Sequence, residues 1–139
     1  SPQNPVDTLV TVNPDGSRTL TAKNYRDVIA LLSRVTNGEA ELDEAFVDQL
    51  VHSDTKAHFR TQGKDPREGV PAFLHANRTP INKLLARLPG GENSPGVIVG
   101  AVGRNRFKLE LTGPAAKGLA YTELWVGLED GKPRFIWVR

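Results

Sequence analysis

Apolar positions in the first half of the chain recur at helical spacing. Tyr25, Val28, Ile29, Leu32 and Val35 are separated by 3, 1, 3 and 3 residues, which lines them along one face of a helix. Asn37-Gly38 supplies its stop, since both residues tolerate the left-handed conformation that ends helices. Leu42, Phe46, Val47, Leu50 and Val51 predict a second helix over Ala40–His52, with acids in its first turn. Ser53 or Asp54 caps a third, reaching Arg60. Upstream, Val6–Val12 alternates and runs into the turn Asn13-Pro14-Asp15-Gly16. Arg18–Leu20 then either pairs back as a hairpin or forms an irregular lead-in.

Two prolines and two glycines fall within residues 63–71, a composition poorly suited to a helix or a central strand. The segment is expected to connect two subdomains, a helical one over 1–62 and an α/β one over 72–139. In the latter, Thr79 and Pro80 open a helix to Leu88, with Ile81, Leu84, Leu85 and Leu88 as its apolar face. From Val97 the period changes to 2, and Val97–Val102, Arg106–Leu111, Leu119–Leu128 and Arg134–Val138 predict four strands. Asp130-Gly131 marks a hairpin turn, and the short connections favour an antiparallel meander. The helix Pro80–Leu88 is expected to cover the apolar face of that sheet. The fold class is therefore α+β: a helical half, a proline-containing connector loop, and a compact α/β half with a short antiparallel sheet.

Composition narrows the class further. The 139 residues are 38% hydrophobic and 24% charged, which suits one ordinary domain or two small ones. The longest apolar runs, Val28–Leu32 and Val97–Val102, fall far short of the roughly 20 residues that a membrane helix requires. No membrane insertion and no secretory leader are expected. The absence of cysteine removes disulfides and thiolate metal sites and favours a reducing compartment, the cytoplasm. With no methionine and a start at Ser1-Pro2-Gln3, the chain is expected to be a piece of a larger protein. Residues 1–70 carry 8 basic against 11 acidic side chains, a balance of −3, and residues 71–139 carry 10 against 5, a balance of +5.

No set of residues assembles into a catalytic constellation. His52 and His58 lack the i, i+4 spacing of a helical metal pair, and His75 has no carboxylate near it in sequence. Glu39, Glu41, Asp43 and Glu44 suit a helix N-terminus. Pro89-Gly90-Gly91-Glu92-Asn93-Ser94 lacks the Lys-Ser/Thr of a P-loop. Gly96, Gly100 and Gly103 lie along a strand, and no serine sits in a nucleophile elbow. The chain is expected to bind rather than catalyse, with no cofactor and no metal of its own.

Two surfaces are candidates for that binding. One is the connector, Lys64, Asp65, Pro66, Arg67, Glu68, Gly69, Val70 and Pro71, whose prolines pre-order it for docking a protein partner. The other is a basic patch of Arg78, Lys83 and Arg87 with Arg104, Arg106 and Lys108, suited to weak phosphate contact with DNA. Tyr121, Trp125, Phe135 and Trp137 are assigned to the core rather than to base stacking.

The stretches Val6–Gly16, Pro95–Gly100 and Tyr121–Gly127, in the order helical unit, proline-containing loop and α/β unit, resemble the C-terminal domain of conjugative relaxase–helicases of the F-plasmid TraI type. That resemblance implies a parent that nicks plasmid DNA at the transfer origin and unwinds it with ATP and a divalent metal. The tyrosines, metal-binding histidines and helicase motifs of such a parent belong to its other domains. For this chain it implies a non-catalytic platform that contacts other proteins of the DNA-transfer complex. The competing classes are a small basic nuclease of the toxin or effector type and a plain nucleic-acid-binding module.

Overall fold

A computed structural model describes residues 6–139. Five helices and two antiparallel sheets make up an α+β fold, helices in the N-terminal half and the larger sheet at the C-terminus. Among the described residues no helix is long and apolar enough to cross a membrane.

The chain opens with a small hairpin, β1 (Val10–Val12) paired to β2 (Arg18–Leu20) with Val10 opposite Leu20. Its turn is closed by Asp15, whose carboxylate accepts from the Ser17 backbone N–H at 3.0 Å. Helix α1 (Tyr25–Thr36) begins where the Asn24 side chain accepts from Asp27 N–H, and it buries Val28, Ile29, Leu31, Leu32 and Val35. Gly38 ends it at φ 98°, as a left-handed glycine should.

The expected second helix is divided. A 3-10 turn over Ala40–Leu42 leads into α2 (Asp43–Leu50), and the chain turns extended at Val51 instead of continuing to His52. Long-range pairing outweighs helix propagation there. Val51 bridges Phe135 in parallel, and His52 N–H donates to Phe135 O at 2.8 Å. The cap of α3 (Ser53–Thr61) is the His52 ring, whose Nδ1 accepts from Asp54 N–H. Ser53 instead ties the helix to the sheet, its N–H donating to Glu129 at 3.0 Å.

Residues 66–76 depart most from expectation, since α4 (Pro66–Ala76) occupies most of the segment assigned to a connector. Asp65 caps it by accepting from Arg67 N–H, and Pro66 takes the first helical turn, where its missing N–H costs nothing. Pro71 sits inside the helix, where a proline costs about 3 kcal/mol relative to alanine. Burial of Pro66, Val70, Pro71 and Leu74 against the other helices opposes that cost. What joins α3 to α4 is only the stretch from Gln62 to Asp65, with Gly63 left-handed at φ 72°.

Helix α5 (Arg78–Ala86) starts two residues before the expected Pro80, after an Asn77 that makes no side-chain cap. It packs chiefly on α1 and α4, so it does not cover the sheet as expected. The meander runs β3 (Val97–Gly103), β4 (Arg106–Leu111), β5 (Glu123–Glu129) and β6 (Lys132–Val138), in that spatial order. Helices α1, α2 and α3 lie against β6. Asp130 and Gly131 both take positive φ, the two-residue turn that matches strand twist. One sheet face carries Leu109, Leu111, Leu124, Val126, Phe135 and Val138, all buried. These join Val28, Leu32, Phe46 and Leu74 in a single hydrophobic cluster that draws on both halves of the chain.

Candidate functional site

Where α3, α4 and the β6 side of the sheet meet, the structure leaves a cleft of about 710 Å³. Its walls are aromatic. Phe59 comes from α3, Phe73 from α4, Trp125 from β5 and Trp137 from β6, and each is half-buried. Trp137 is the hub, with its ring centroid 4.5 Å from that of Phe73 and 5.7 Å from that of Phe59. A register irregularity at Trp125 and Val126 sets this geometry. Trp125 pairs with Trp137 but Val126 pairs with Phe135, so Ile136 is an extra residue on β6. Such a bulge re-aims side chains, and Ile136 and Trp137 both reach the cleft while Phe135 stays in the core.

Gly69 forms part of the α4 wall. A Cβ placed there would lie 2.6 Å from Cε1 of Phe59, so glycine permits the close approach of helix and ring. At the rim stand Lys64, Arg106 and Arg139, opposed among the lining residues by the single carboxylate of Asp54. The Arg139 guanidinium lies 3.9 Å above the Trp125 ring, a cation–π contact that holds both. The Trp125 indole N–H donates to Glu123 at 3.1 Å. Arg106 Nε donates to Asp54 at 2.6 Å, and that hydrogen bond holds the Asp54 carboxyl below its ordinary range against the opposing effect of burial.

Three of the residues offered as binding candidates from the sequence meet at this cleft: Lys64, Gly69 and Arg106. The remainder of 63–71 does other work. Pro66, Val70 and Pro71 are buried, Asp65 caps α4, and Arg67 binds Asp48 and Glu44 on α2. Glu68 is exposed in the first turn. The six residues of the basic patch are divided between α5 with its C-cap and the β3–β4 hairpin. Lys108 lies between Glu110 and Glu123, at 3.7 Å from each. Arg87 donates to Ala115 O at 2.7 Å, Arg104 lies exposed beside the β3–β4 turn, and Arg78 and Lys83 are exposed on α5.

Phe59 and Phe73 were not among the candidates; of the four aromatics assigned to the core, Phe135 is fully buried, Tyr121 and Trp137 are half-buried against the core, and Trp125 lies outside it. A signal existed for Phe59. It is the one large apolar residue in the otherwise polar run Ser53–Thr61.

The hydroxyl and imidazole side chains that line the cleft have hydrogen-bond partners within the protein. Its only hydroxyl side chain, Thr55, donates to Ile136 O at 2.7 Å. Its histidine, His58, lies 3.3 Å from the Gln62 amide. Elsewhere His75 faces Val35 O at 3.0 Å and Asp43 at 3.9 Å. Among the described residues no three His, Asp or Glu side chains gather as a metal set. No family model, no curated protein and no solved structure matches the chain.

Proposed function

We infer that this chain is a non-catalytic binding module whose working surface is the aromatic cleft, and that its partner is an acidic protein segment presenting a bulky apolar side chain. The observation that carries this is the combination of four half-buried aromatic walls with Lys64, Arg106 and Arg139 against a single carboxylate. Aromatic walls with charged groups at the edge are how proteins anchor one side chain and select the charge of its neighbours. On the resemblance to TraI-type C-terminal domains, the partner would be another protein of a plasmid DNA-transfer complex, met in the cytoplasm. Single-stranded nucleic acid is the second reading, favoured by arginine and lysine beside exposed ring edges. Against it, Phe73 and Trp137 already occupy each other's faces, which leaves a base less ring surface to stack on.

Titration of the intrinsic tryptophan fluorescence separates the two. The probes are short peptides with one Phe or Trp flanked by Asp and Glu, the same peptides with Lys in place of the acids, and an oligothymidylate. Acidic peptides should quench or shift the emission saturably, and Lys64→Glu combined with Arg139→Glu should weaken them at least about tenfold, the cost of a few rim charges. Equal binding of acidic and basic peptides, or tighter binding of the oligonucleotide, would refute the acidic-partner reading.

A further inference from the structure

The two outer edges of the four-stranded sheet are treated differently. Along β6 the edge is sealed: Val51 bridges Phe135, His52 N–H donates to Phe135 O, and the Thr55 hydroxyl donates to Ile136 O. Along β3 nothing comparable occurs among the described residues. The Thr112 N–H to Gly96 O bond fixes the phase of the β3–β4 ladder. Bonded pairs therefore fall at even residues from Gly96 to Gly100, Val99 and Ala101 direct their N–H and C=O outward, and the register shifts only beyond Ala101, where Val102 is an extra residue. No hydrogen bond among the described residues reaches those outward groups.

The side chains of this edge are equally unprotected. From Asn93 through Gly103 there is no charged residue, and β3 contains no proline. Natural edge strands ordinarily carry a lysine, a proline, an inward charge or a bulge that discourages pairing, and of these β3 has only the bulge at its Ala101–Gly103 end. Ile98 is 56% exposed and Val99 49% exposed. Val99 sits opposite buried Leu109, on the core-facing side of the sheet, yet the helical layer does not reach over it. An apolar strip thus lies beside a row of free backbone groups.

We propose that β3 is a self-association edge, and that its occupant is β3 of a second copy of this chain, paired antiparallel about Gly100. The strand reads nearly the same in both directions from that glycine. Ile98 falls opposite Val102 of the second copy, Val99 opposite Ala101, and Gly100 opposite Gly100. In this register the outward groups of Val99 meet those of Ala101, so the backbone phases agree and the bonds form twice by symmetry. Arg104 and its counterpart stay at opposite ends of the seam, roughly 25 Å apart at the usual rise per residue. Both helical layers lie on the same side of the joined sheet and flank the exposed Val99 strip. The aromatic cleft, on the β6 side, remains open in each copy.

The test uses the full chain in light scattering and sedimentation over a range from low micromolar to submillimolar concentration. The mass should climb from 15.2 kDa toward twice that value. Amide hydrogen exchange at Val99 and Ala101 should slow at least about tenfold across the same range, since their N–H groups are unbonded in the single chain. Val99→Lys should hold the mass at that of one chain without changing the circular dichroism spectrum. Val12→Lys removes another exposed apolar side chain, 62% exposed on β1, and should leave the association untouched. A wild type that stays a single chain throughout would overturn the proposal, and so would a dimer that survives Val99→Lys or is lost in Val12→Lys.

Discussion

Replacing Gly69 by alanine sets two well-defined effects against each other. Gly69 lies inside α4 with ordinary helical backbone, where glycine is about 1 kcal/mol less favourable than alanine. On propensity alone Gly69→Ala would therefore stabilise the protein by about 1 kcal/mol. The new methyl, however, would stand 2.6 Å from Cε1 and 2.7 Å from Cδ1 of Phe59, on the order of 1 Å inside the normal contact distance. Overpacking of this kind costs about 1 to 3 kcal/mol, so the expected net change is a loss of about 0 to 2 kcal/mol. At this chain length that lowers the melting temperature by up to about 7 °C. The Phe59 ring is half-exposed at the cleft, and its route of escape is into that space. Peptide quenching should accordingly weaken more than stability does. A double-mutant cycle with Phe59→Leu isolates the contact, because Gly69→Ala should turn stabilising once the ring is shortened. A variant that gains the full propensity term with Phe59 intact would refute the reasoning, and with it the placement of α4 against α3.

Two further substitutions test buried polar groups. The Thr36 hydroxyl is fully buried without a hydrogen-bond partner, so Thr36→Val should stabilise by about 1 kcal/mol in urea unfolding; destabilisation would show that the hydroxyl is satisfied in solution. Burial pushes the Asp43 carboxyl above its ordinary value of 3.8, with His75 opposing the shift and Glu41 adding to it. The folded state therefore resists ionisation, and the wild type loses stability as pH rises from below 3.8 through the raised folded value. Asp43→Asn removes that loss, so the stability of the variant relative to wild type should grow across this acid window and level off above it. A difference that does not vary with pH would contradict the assignment.

Elements whose apolar spacing is strong were legible in the sequence. Strand β4 coincides with the predicted Arg106–Leu111, and α1 carries the predicted stripe from Tyr25 to Val35. Residues 63–71 were not, because prolines and glycines were weighed as helix breakers without regard to position. Asp65-Pro66 is a cap followed by a first-turn proline, the device that the sequence reading placed instead at Thr79-Pro80, where the helix begins at Arg78. The end of α2 was hidden for a different reason: Val51 and His52 leave the helix for Phe135, a partner more than eighty residues away that no local pattern announces. The cleft was illegible for the same cause. Its aromatics come from four elements, and the bulge at Ile136 that aims Trp137 into it leaves no mark on the alternation.

The unequal edges of the sheet also bear on how far it can grow. A strand added along β6 would have to displace Val51, His52 and Thr55 from their bonds to Phe135 and Ile136, which ties extension there to loss of core packing. Growth is therefore one-sided, and a sheet with a single reactive end cannot propagate into a filament. Pairing of two such ends exhausts both. An apolar, uncharged strand that would otherwise template fibres is confined to at most one partner, and the confinement comes largely from a two-residue detour between two helices at the far side of the molecule.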